Sequence, residues 1–508
     1  MADSGSALST SLRPIRKVLI ANRGEIAVRI IRTCHELGIE TVAIFSDIDA
    51  LAPHVRMATE AWCVGGAASA DSYLRADRVL EVARKTGADA VHPGYGFLSE
   101  NAEFAEACHD AGIVFIGPPA EAIRAMGDKT AARKLMEKAG VPMAPGTVDA
   151  IDDADEAGAI AQEIGFPILI KAAAGGGGKG MRIVRRTEDF RGAMDAARRE
   201  ATSAFGDGRV FIEKYIDEPR HIEFQIMADT HGGVVHLFER ECSIQRRHQK
   251  VVEEAPSAIL TPELRAEMGE AAVSAARSCG YVGAGTVEFL VDADRRFYFM
   301  EMNTRLQVEH PVTEWITGLD LVAEQIRVAS GEALGYTQDD FAIHGHAVEC
   351  RVYAEDPSSG FLPDPGPLMR HVAPSGPGVR VDAGVEEGGT IPMEYDPMIS
   401  KLTTWGPTRD AAIRRMRRAL DEYEVAGVAT TIPFCRFVMD HEAFTSGTFS
   451  THFVEQHFSP AALKRGDELP DEVLAMAAAM YVDQFGKTDT PLATNGQGAF
   501  SPWRLRRG

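Results

Sequence analysis

The chain has 508 residues, of which 45% are hydrophobic and 25% charged, a composition typical of a folded globular protein with two to four domains. Its formal net charge of −21 argues against general nucleic-acid binding, because a phosphate backbone would be repelled. No apolar run reaches the roughly 18 residues of a membrane span, and residues 1–16 lack the apolar segment of a secretory signal. The seven scattered cysteines contain no CxxC pair and fit reduced thiols, so we expect a cytoplasmic protein.

The N-terminal part alternates short apolar runs with amphipathic stretches. The pattern predicts strands at 17–22, 41–45 and 88–92 and helices at 25–37 and near 73–85. This order predicts a parallel sheet covered by helices. The turn after the first strand lacks GxGxxG, so we do not expect a nicotinamide site or an oxidoreductase.

Four consecutive glycines follow an apolar run at 166–170; they are Gly175, Gly176, Gly177 and Gly178. Glycine lets backbone N–H groups approach an anion, and Lys171 and Lys179 bracket the loop with positive charge. We interpret the loop as a mobile flap over nucleotide phosphates; a flexible linker is the alternative. It is not a Walker A loop, because Ala173 and Gly180 stand where that motif needs Gly and Ser or Thr.

The remaining elements are read from the same periodicities. We expect a helix at 129–139, then a small lid over about 143–215 that includes a helix at 187–205 and a strand at 210–214. Further on we expect mainly strands at 220–303, a strand at 347–353, and helices at 409–422 and 471–480. Residues 486–508 are rich in Gly, Thr, Asn and Pro and are expected to be extended or partly disordered.

Residues 285–303 predict a β-hairpin that turns near 293–294. Side chains alternate faces along a strand, so an even loop would place Glu288 and Glu301 diagonally on one face, together with Asn303. Two carboxylates and an amide oxygen could hold Mg²⁺ there. Solvated polar residues on the outer face of a sheet are the alternative.

Directly downstream, Arg305, Gln307 and Glu309 alternate and would share a face in an extended segment. Arginine offers a planar fork for a small oxyanion such as bicarbonate or a carboxylate, and glutamine adds a neutral donor. Glu309 could remove a proton from the bound species. An ordinary salt bridge between Arg305 and Glu309 is the alternative.

The stretch 239–256 is dense in polar side chains. Gln245, His248 and Lys250 could reach nucleotide phosphates or ribose. A charge-rich surface strand is the alternative, but the run of long donors ends in apolar Val251 and Val252, which favours a site.

Taken together, seven stretches resemble the biotin carboxylases, members of the ATP-grasp superfamily. In chain order they are Lys17–Ile31, His92–Asn101, the glycine loop, Glu213–Gln225, Cys242–Pro256, Glu301–Glu314 and Gly345–Pro357. They occur in the family's order between residue 17 and about residue 455. The last three also separate this family from other ATP-grasp ligases, such as carbamoyl-phosphate synthetase or peptide ligases.

The resemblance implies a fold that is α/β and α+β. It consists of an N-terminal Rossmann-like parallel sheet, a central ATP-grasp fold with a mobile lid, and a C-terminal β-rich α+β domain. The implied bounds are 1–14 for a disordered N-terminus, 15–125, 126–335 and 336–457 for the three domains, and 458–508 for a helix plus a flexible tail.

The resemblance also implies a reaction. Mg·ATP (or Mn·ATP) phosphorylates bicarbonate to carboxyphosphate, whose CO₂ is captured by a ureido nitrogen of biotin. The implied partners are a biotin carboxyl carrier protein and a carboxyltransferase subunit, with a homodimer of this chain inside a larger complex. The sequence has no Met-Lys-Met tripeptide, the usual context of the biotin-accepting lysine, so we expect the carrier to be another chain, unless this chain is a fragment.

The resemblance also implies roles for the residues of this sequence that match the biotin carboxylase motifs. Implied ATP-binding residues are Lys129, Lys171, Gly175, Gly176, Gly177, Gly178, Glu213, His221, Gln245 and His248. The implied metal ligands are Glu288, Glu301 and Asn303. The implied bicarbonate pocket consists of Lys250, Arg305, Gln307 and the backbone of Val308. Glu309 matches the base that deprotonates bicarbonate, and Arg351 matches the residue that stabilises the enolate of biotin.

Two signals bear on the final carboxyl acceptor. Val352 and Tyr353 follow Arg351 where the acetyl-CoA type commonly has Ile-Asn, and this variant leans toward the propionyl- and methylcrotonyl-CoA class. Residues 471–480 and 501–504 resemble the start of the connecting region in acyl-CoA carboxylase α subunits. We expect an acyl-CoA carboxylase of the acetyl- or propionyl-CoA type; a pyruvate or other 2-oxoacid carboxylase is the alternative. Other rivals are a different ATP-grasp ligase and a non-catalytic ATP-binding protein.

Overall fold

The computed structural model of the chain describes residues 12–147, 149–151, 153–172, 181–463, 476 and 479–480. The chain divides into two units, 1–463 and 464–508, and the first contains all the elements that follow. The glycine loop at 175–178, nearly all of the predicted helix at 471–480 and the predicted extended end lie outside the described residues. Among the described residues, none of the helices combines the length and the apolar character that crossing a membrane would need.

The N-terminal part is a parallel sheet, as its alternating pattern predicts. Its five strands, in spatial order, are Glu60–Gly65, Glu40–Ser46, Lys17–Ile20, Ala90–His92 and Val114–Phe115. The helices of this part are Gly24–Glu36, Pro53–Met57, Ala76–Thr86, Ala102–Asp110 and Ala120–Gly127. The central strand is buried on both faces, which explains why its sequence is a continuous apolar run rather than an alternation.

The lid is a small subdomain with its own apolar core. Its antiparallel strands, in spatial order, are Arg182–Val184, Ile168–Ala172 and Val210–Lys214, and its helices are Ala154–Ile164 and Phe190–Phe205. The core includes Ile168, Ile170, Val184, Met194 and Ile212. These side chains form one apolar cluster within the lid, separate from the cluster around Phe224 and Phe289 of the central part.

An antiparallel sheet of eight strands forms the platform of the molecule. Its strands, in spatial order, are Phe297–Asn303, Gly283–Val291, Arg220–Ala228, Val234–Arg246, Gln249–Ala255, His346–Tyr353, Met398–Gly406 and Val379–Ala383. The sheet is continuous from the central part of the chain into the C-terminal part, because Val252 lies opposite Cys350. Residues from both parts therefore share its faces.

A helix at Pro262–Ser278 packs on this platform, and the expectation of mainly strands over 220–303 missed it. The hydroxyl of Thr261 caps its N-terminus by accepting from the Leu264 N–H at 3.2 Å, and Pro262 occupies the first helical position. This Thr-Pro start is the sequence signal that could have revealed the helix.

The remaining helices surround the platform and connect its strands. They are Lys129–Ala139, His310–Thr317, Leu321–Ala329, Arg409–Glu422, Ile432–Asp440, Glu442–Ser446 and Phe453–His457. The short strand pairs are Glu355–Asp356 with Leu362–Pro363, Gly366–Pro367 with Thr390–Ile391, and Arg370–Val372 with Glu424–Ala426. The single-turn 3₁₀ helices are Asp47–Asp49, Ser69–Asp71, Thr187–Asp189, Gln338–Asp340, Pro357–Ser359 and Pro460–Leu463.

Candidate active site

One row of facing residues across the platform carries three carboxylates. Glu288 lies directly opposite Glu301 on one neighbouring strand and directly opposite Glu223 on the other, and Glu223 in turn faces Arg240. The hairpin prediction is correct in placing Glu288 and Glu301 on one face. The pair is directly opposite rather than diagonal, because the loop at 292–296 has five residues and a bulge follows Glu288.

Glu288 is buried and accepts four hydrogen bonds rather than facing solvent. One carboxylate oxygen accepts from His221 Nε2 at 2.7 Å, and the other accepts from Lys250 Nζ at 2.9 Å, Asn303 Nδ2 at 2.9 Å and Gln307 Nε2 at 3.0 Å. Although burial alone would raise the pKa of Glu288, Lys250 and His221 lower it. The face of the hairpin that carries Glu288 is therefore a site and not a solvated outer surface.

The donor set fits a hard divalent cation. Glu288, Glu301 and Asn303 supply carboxylate and amide oxygens, which are the ligands that Mg²⁺ prefers in proteins. Glu301 is exposed, so its carboxylate faces the open side of the site. Ligand atoms of His221, Glu223 and Glu288 also lie within 4.8 Å of one another. The residues present thus fit the magnesium site that the hairpin predicts.

Lys250 is the cation shared by three buried carboxylates. Its ammonium group donates to Glu223, to Glu288 at 2.9 Å and to Glu309 at 2.7 Å. Burial alone would lower the pKa of Lys250, but the charges of Glu223, Glu288 and Glu309 raise it well above its ordinary value. A charged lysine therefore links Glu223 and Glu288 to Glu309.

Glu309 is fully buried and lies between two cations. Lys250 Nζ donates to one of its oxygens at 2.7 Å, and Arg351 Nη2 donates to the other at 2.9 Å. Burial alone would raise its pKa, but Lys250 and Arg351 hold the pKa of Glu309 well below the usual range. The group is thus an ionised carboxylate at neutral pH, and it becomes more basic when a bound anion draws either cation away.

The segment after the hairpin is a bend and a turn rather than the extended stretch that the alternation suggested. Arg305 nevertheless gathers the predicted partners, since its guanidinium donates to Gln307 Oε1 at 2.8 Å and to Asn303 Oδ1 at 2.9 Å. Its carboxylate partner is Glu100 at 2.8 Å. The Arg305–Glu309 salt bridge considered above is therefore not the pairing that forms, because Glu309 binds Lys250 and Arg351 instead.

Val308 directly precedes Glu309, and a buried lysine from the C-terminal part holds its backbone. Lys401 Nζ donates to the Val308 carbonyl at 3.0 Å and lies 3.1 Å from Glu25 Oε2. Lys401 also faces Arg351 across the sheet. One fully buried side chain therefore links the first helix, the Glu309 turn and the C-terminal strands.

The nucleotide-side predictions fall into two groups. Gln245 Nε2 lies 2.6 Å from His221 Nδ1, so these two predicted residues form one chain of contacts with Glu288. In the lid, Lys171 forms an ion pair with Glu213. The pKa of Lys129 is lowered, first by burial and then by the positive charge of Lys171. The two lysines therefore lie close enough for their charges to interact.

His248 is the predicted site residue that the geometry leaves apart. It lies exposed in the two-residue turn between Val234–Arg246 and Gln249–Ala255, with φ of 67°. Its role at the nucleotide stays a prediction. The same holds for the glycine loop and for Lys129, Lys171, Glu213, His221 and Gln245.

Sequence reasoning assigned no role to several charged residues that complete the site. These are Glu100, Glu223, Arg240, Glu253, Glu349 and Lys401. Arg240, for example, is fully buried and donates to Glu223 at 2.5 Å and to Gln225 at 2.7 Å. The available signal was charge at alternate positions of strands that otherwise read as buried, such as Glu223 within the strand Arg220–Ala228.

Three family models match successive parts of the chain. Residues 14–123 match the biotin carboxylase N-terminal domain, residues 128–337 the ATP-binding domain of the carbamoyl-phosphate synthase L chain, and residues 349–456 the biotin carboxylase C-terminal domain.

Individual relatives are similar over most of their length. A pyruvate carboxylase component of Methanothermobacter thermautotrophicus is 58% identical, with 87% of this chain and 90% of that protein covered. The propionyl-CoA carboxylase alpha chain of Ruegeria pomeroyi is 53% identical, with 92% of this chain and 72% of that protein covered.

A solved structure has the same fold. The biotin carboxylase domain dimer of Hydrogenobacter thermophilus 2-oxoglutarate carboxylase, in complex with MgADP, ADP and bicarbonate, matches with a TM-score of 0.84 at 49% identity, covering 90% of this chain and 100% of that one. This chain therefore belongs to the biotin carboxylase family and is an ATP-dependent ligase of the ATP-grasp type.

Proposed function

We propose that this chain is the biotin carboxylase component of an acyl-CoA carboxylase. It transfers the γ-phosphoryl group of ATP to bicarbonate, which gives ADP and carboxyphosphate. The CO₂ released from carboxyphosphate then forms a C–N bond with a ureido nitrogen of biotin on a separate carrier protein, and phosphate leaves. The observation that carries the proposal is the buried carboxylate of Glu309 held between Lys250 and Arg351, beside the facing pair Glu288 and Glu301.

Glu309 is the general base in this proposal. Bicarbonate would be held next to Glu309 by Arg305, Gln307 and the backbone of Val308. The ammonium group of Lys250 would then interact with both Glu309 and the bound anion. A positioned base contributes about 10²–10⁴-fold to a rate. The low pKa of Glu309 keeps the carboxylate ionised at neutral pH, and its basicity rises when bound bicarbonate shares the charges of Lys250 and Arg351.

Glu288, Glu301 and Asn303 would hold the Mg²⁺ or Mn²⁺ that comes with ATP. When bound, the metal neutralises charge on the transferred phosphoryl group. The chain's own part is positioning and charge, which dominate phosphoryl transfer. The proposed polar contacts to the nucleotide are Lys129, Lys171, His221, Gln245 and His248. In this proposal Glu213 contacts the adenine of ATP, and the glycine loop closes over the phosphates.

Arg351 is the residue that we propose interacts with biotin. Its Nη2 atom already contacts Glu309 at 2.9 Å, so the guanidinium adjoins the place where carboxyphosphate would form. A guanidinium stabilises a developing enolate because it is charged at every accessible pH and donates in a fork. In this proposal Arg351 stabilises the enolate form of biotin as the ureido nitrogen loses its proton.

The final carboxyl acceptor is proposed from the relatives and from one residue pair. The match to the propionyl-CoA carboxylase alpha chain spans 489 residues, against 441 residues for the Methanothermobacter pyruvate carboxylase component. The longer match favours an acyl-CoA carboxylase of the acetyl- or propionyl-CoA type, and within it the Val352-Tyr353 pair leans toward the propionyl-CoA side. The higher identity of 58% to the pyruvate carboxylase component favours a 2-oxoacid carboxylase as the second candidate.

The proposed partners follow from this reaction. They are a biotinylated carrier protein and a carboxyltransferase, and we infer a homodimer of this chain because the matched solved structure is a dimer.

Two assays test the proposal. The first measures phosphate release by the purified chain with ATP, Mg²⁺, bicarbonate and free biotin; release that needs both bicarbonate and biotin supports biotin carboxylation. The second adds the co-purified carrier and carboxyltransferase chains and follows labelled bicarbonate into acetyl-CoA, propionyl-CoA or pyruvate. Incorporation into pyruvate alone would replace the acyl-CoA assignment with the second candidate.

A further inference from the structure

Two buried carboxyl groups lie directly behind Arg351. Glu253 lies on the strand Gln249–Ala255, and Glu349 lies two residues before Arg351 on the strand His346–Tyr353. The sheet register places Glu253 and Glu349 directly opposite each other. Both side chains are fully buried, so water does not solvate either group.

Each carboxyl group uses only one of its oxygens among the described residues. Glu253 Oε1 accepts from Arg351 Nε at 2.6 Å, and Glu349 Oε2 accepts from Thr403 Oγ1 at 3.0 Å. The other oxygens, Glu253 Oε2 and Glu349 Oε1, are buried with no hydrogen-bond partner in the described part of the chain. A buried acceptor without a partner costs about 1–3 kcal/mol, so two such oxygens at facing positions need an explanation.

The charges of Glu253 and Glu349 also need an explanation. Two ionised carboxylates at facing positions of neighbouring strands would repel each other, with side chains about 5 Å apart at Cβ. One proton between them removes the repulsion and also satisfies both oxygens at once.

We propose that Glu349 is a protonated carboxylic acid that donates a hydrogen bond to Glu253, and that this acid–carboxylate pair positions the guanidinium of Arg351 beside Glu309. Glu253 then keeps its negative charge and fixes the Nε edge of Arg351. The Nη2 atom stays directed at Glu309, 2.9 Å away. Glu349 and Glu253 are positioning residues for the proposed carboxylation, on which this inference rests.

The surroundings agree with one proton on the pair. Glu253 faces the charges of Arg351, Glu309 and Lys250, and burial raises its pKa to about 7 in spite of the two cations. Glu349 faces Glu253, Lys401, Arg351 and Glu309. Burial and then the charge of Glu253 raise the pKa of Glu349 well above its ordinary value. Glu253 accepts from the Arg351 guanidinium whereas Glu349 accepts from the neutral Thr403 hydroxyl, so Glu349 is the member to which we assign the proton.

The first test compares two neutral replacements of Glu349 in the full chain. Glu349→Gln keeps a donor that can reach Glu253, whereas Glu349→Met has a similar size and no donor. We expect Glu349→Gln to retain kcat for biotin-dependent ATP hydrolysis within about threefold, and Glu349→Met to lower kcat about tenfold or more, with the KM for ATP unchanged in both. Equal losses in the two variants would overturn the proposal.

The second test observes the proton directly. Infrared spectra of the chain with isotope-labelled glutamate should show the carbonyl band of a neutral carboxylic acid at pH 7, and the Glu349→Gln variant should lack that band. The absence of a band that disappears on substitution would refute a protonated Glu349, even if Glu349→Met failed to fold. If the wild-type chain showed no biotin-dependent turnover, the proposed function would fail, while the infrared result would still decide the state of Glu349.

Discussion

Lys250 Nζ donates to Glu309 Oε1 at 2.7 Å, although the two residues lie 59 positions apart on different elements. The same ammonium group contacts Glu223 and Glu288. The proposed general base Glu309 and the proposed metal ligand Glu288 therefore share one cation, which couples the two halves of the site.

Replacement of this cation is expected to affect both halves at once. In Lys250→Met three buried carboxylates lose their common partner, and we expect biotin-dependent ATP hydrolysis to fall about 100-fold or more because the base and the metal site are both disturbed. Breaking a buried pair also costs about 3–5 kcal/mol of the free energy of unfolding. Steady-state kinetics and denaturant unfolding measure the two effects. Lys85→Met, at an exposed ion pair with Glu81, is the matched control; wild-type kinetics in Lys250→Met would refute the shared role.

Loss of a metal-side carboxylate should change the Mg²⁺ requirement. Glu288→Gln removes a charged oxygen ligand and weakens the contact with His221, so the Mg²⁺ concentration for half-maximal activity should rise about tenfold or more. A Mg²⁺ titration of ATP hydrolysis measures the shift. Asp294→Asn at the exposed turn of the same hairpin should titrate like the wild type. An unchanged Mg²⁺ requirement in Glu288→Gln would contradict the assignment.

We expect Lys401 to affect bicarbonate binding indirectly, through its hydrogen bond to the backbone of Val308. Lys401→Met removes the hydrogen bond to the Val308 carbonyl, so the turn that carries Glu309 loses an anchor. Small misplacements of reacting groups cost about 10–100-fold, and we expect the ratio kcat/KM for bicarbonate to fall by that amount while ATP affinity stays near normal. Lys134→Met at an exposed pair with Asp149 is the control. A selective loss of ATP affinity would show that the tether serves another purpose.

The buried side chain of His54 should make the free energy of unfolding depend on pH. Burial lowers the pKa of His54 from 6.5 to about 4, so the folded state binds fewer protons than the unfolded state between these values. The free energy of unfolding should therefore decrease as pH falls through this range, by at most about 3 kcal/mol from this residue. Denaturant unfolding from pH 7 to 4 should show a shallower pH dependence for His54→Gln. His109→Gln, at an exposed site, should keep the wild-type slope; equal slopes in all three proteins would contradict the shift.

The sequence predicted local structure wherever one periodicity dominated. The hairpin carrying Glu288 and Glu301 follows from two largely apolar runs on either side of a polar turn near 293–294. The parallel N-terminal sheet follows from alternating apolar runs and amphipathic stretches. The helix Pro262–Ser278 was missed because it is inserted between strands of the same sheet.

Long-range polar partners could not be predicted in the same way. Arg351 and Glu253 are 98 positions apart, and their contact depends on which strands are neighbours in the platform. A salt bridge between Arg305 and Glu309 was the alternative interpretation, but the chain bends there and Glu100 from the N-terminal part pairs with Arg305 instead. Such pairings are set by tertiary structure, so a single sequence indicates only that these charges must find partners.

The central claim is that Glu309 is the base that activates bicarbonate, and its most direct test is ATP hydrolysis in the presence of bicarbonate and free biotin. We expect Glu309→Gln to lose this activity by about 100-fold or more while ATP binding, measured by calorimetry, stays near normal. Arg351→Ala should lose the same activity because the enolate of biotin is no longer stabilised. Full bicarbonate- and biotin-dependent turnover in Glu309→Gln would contradict the account.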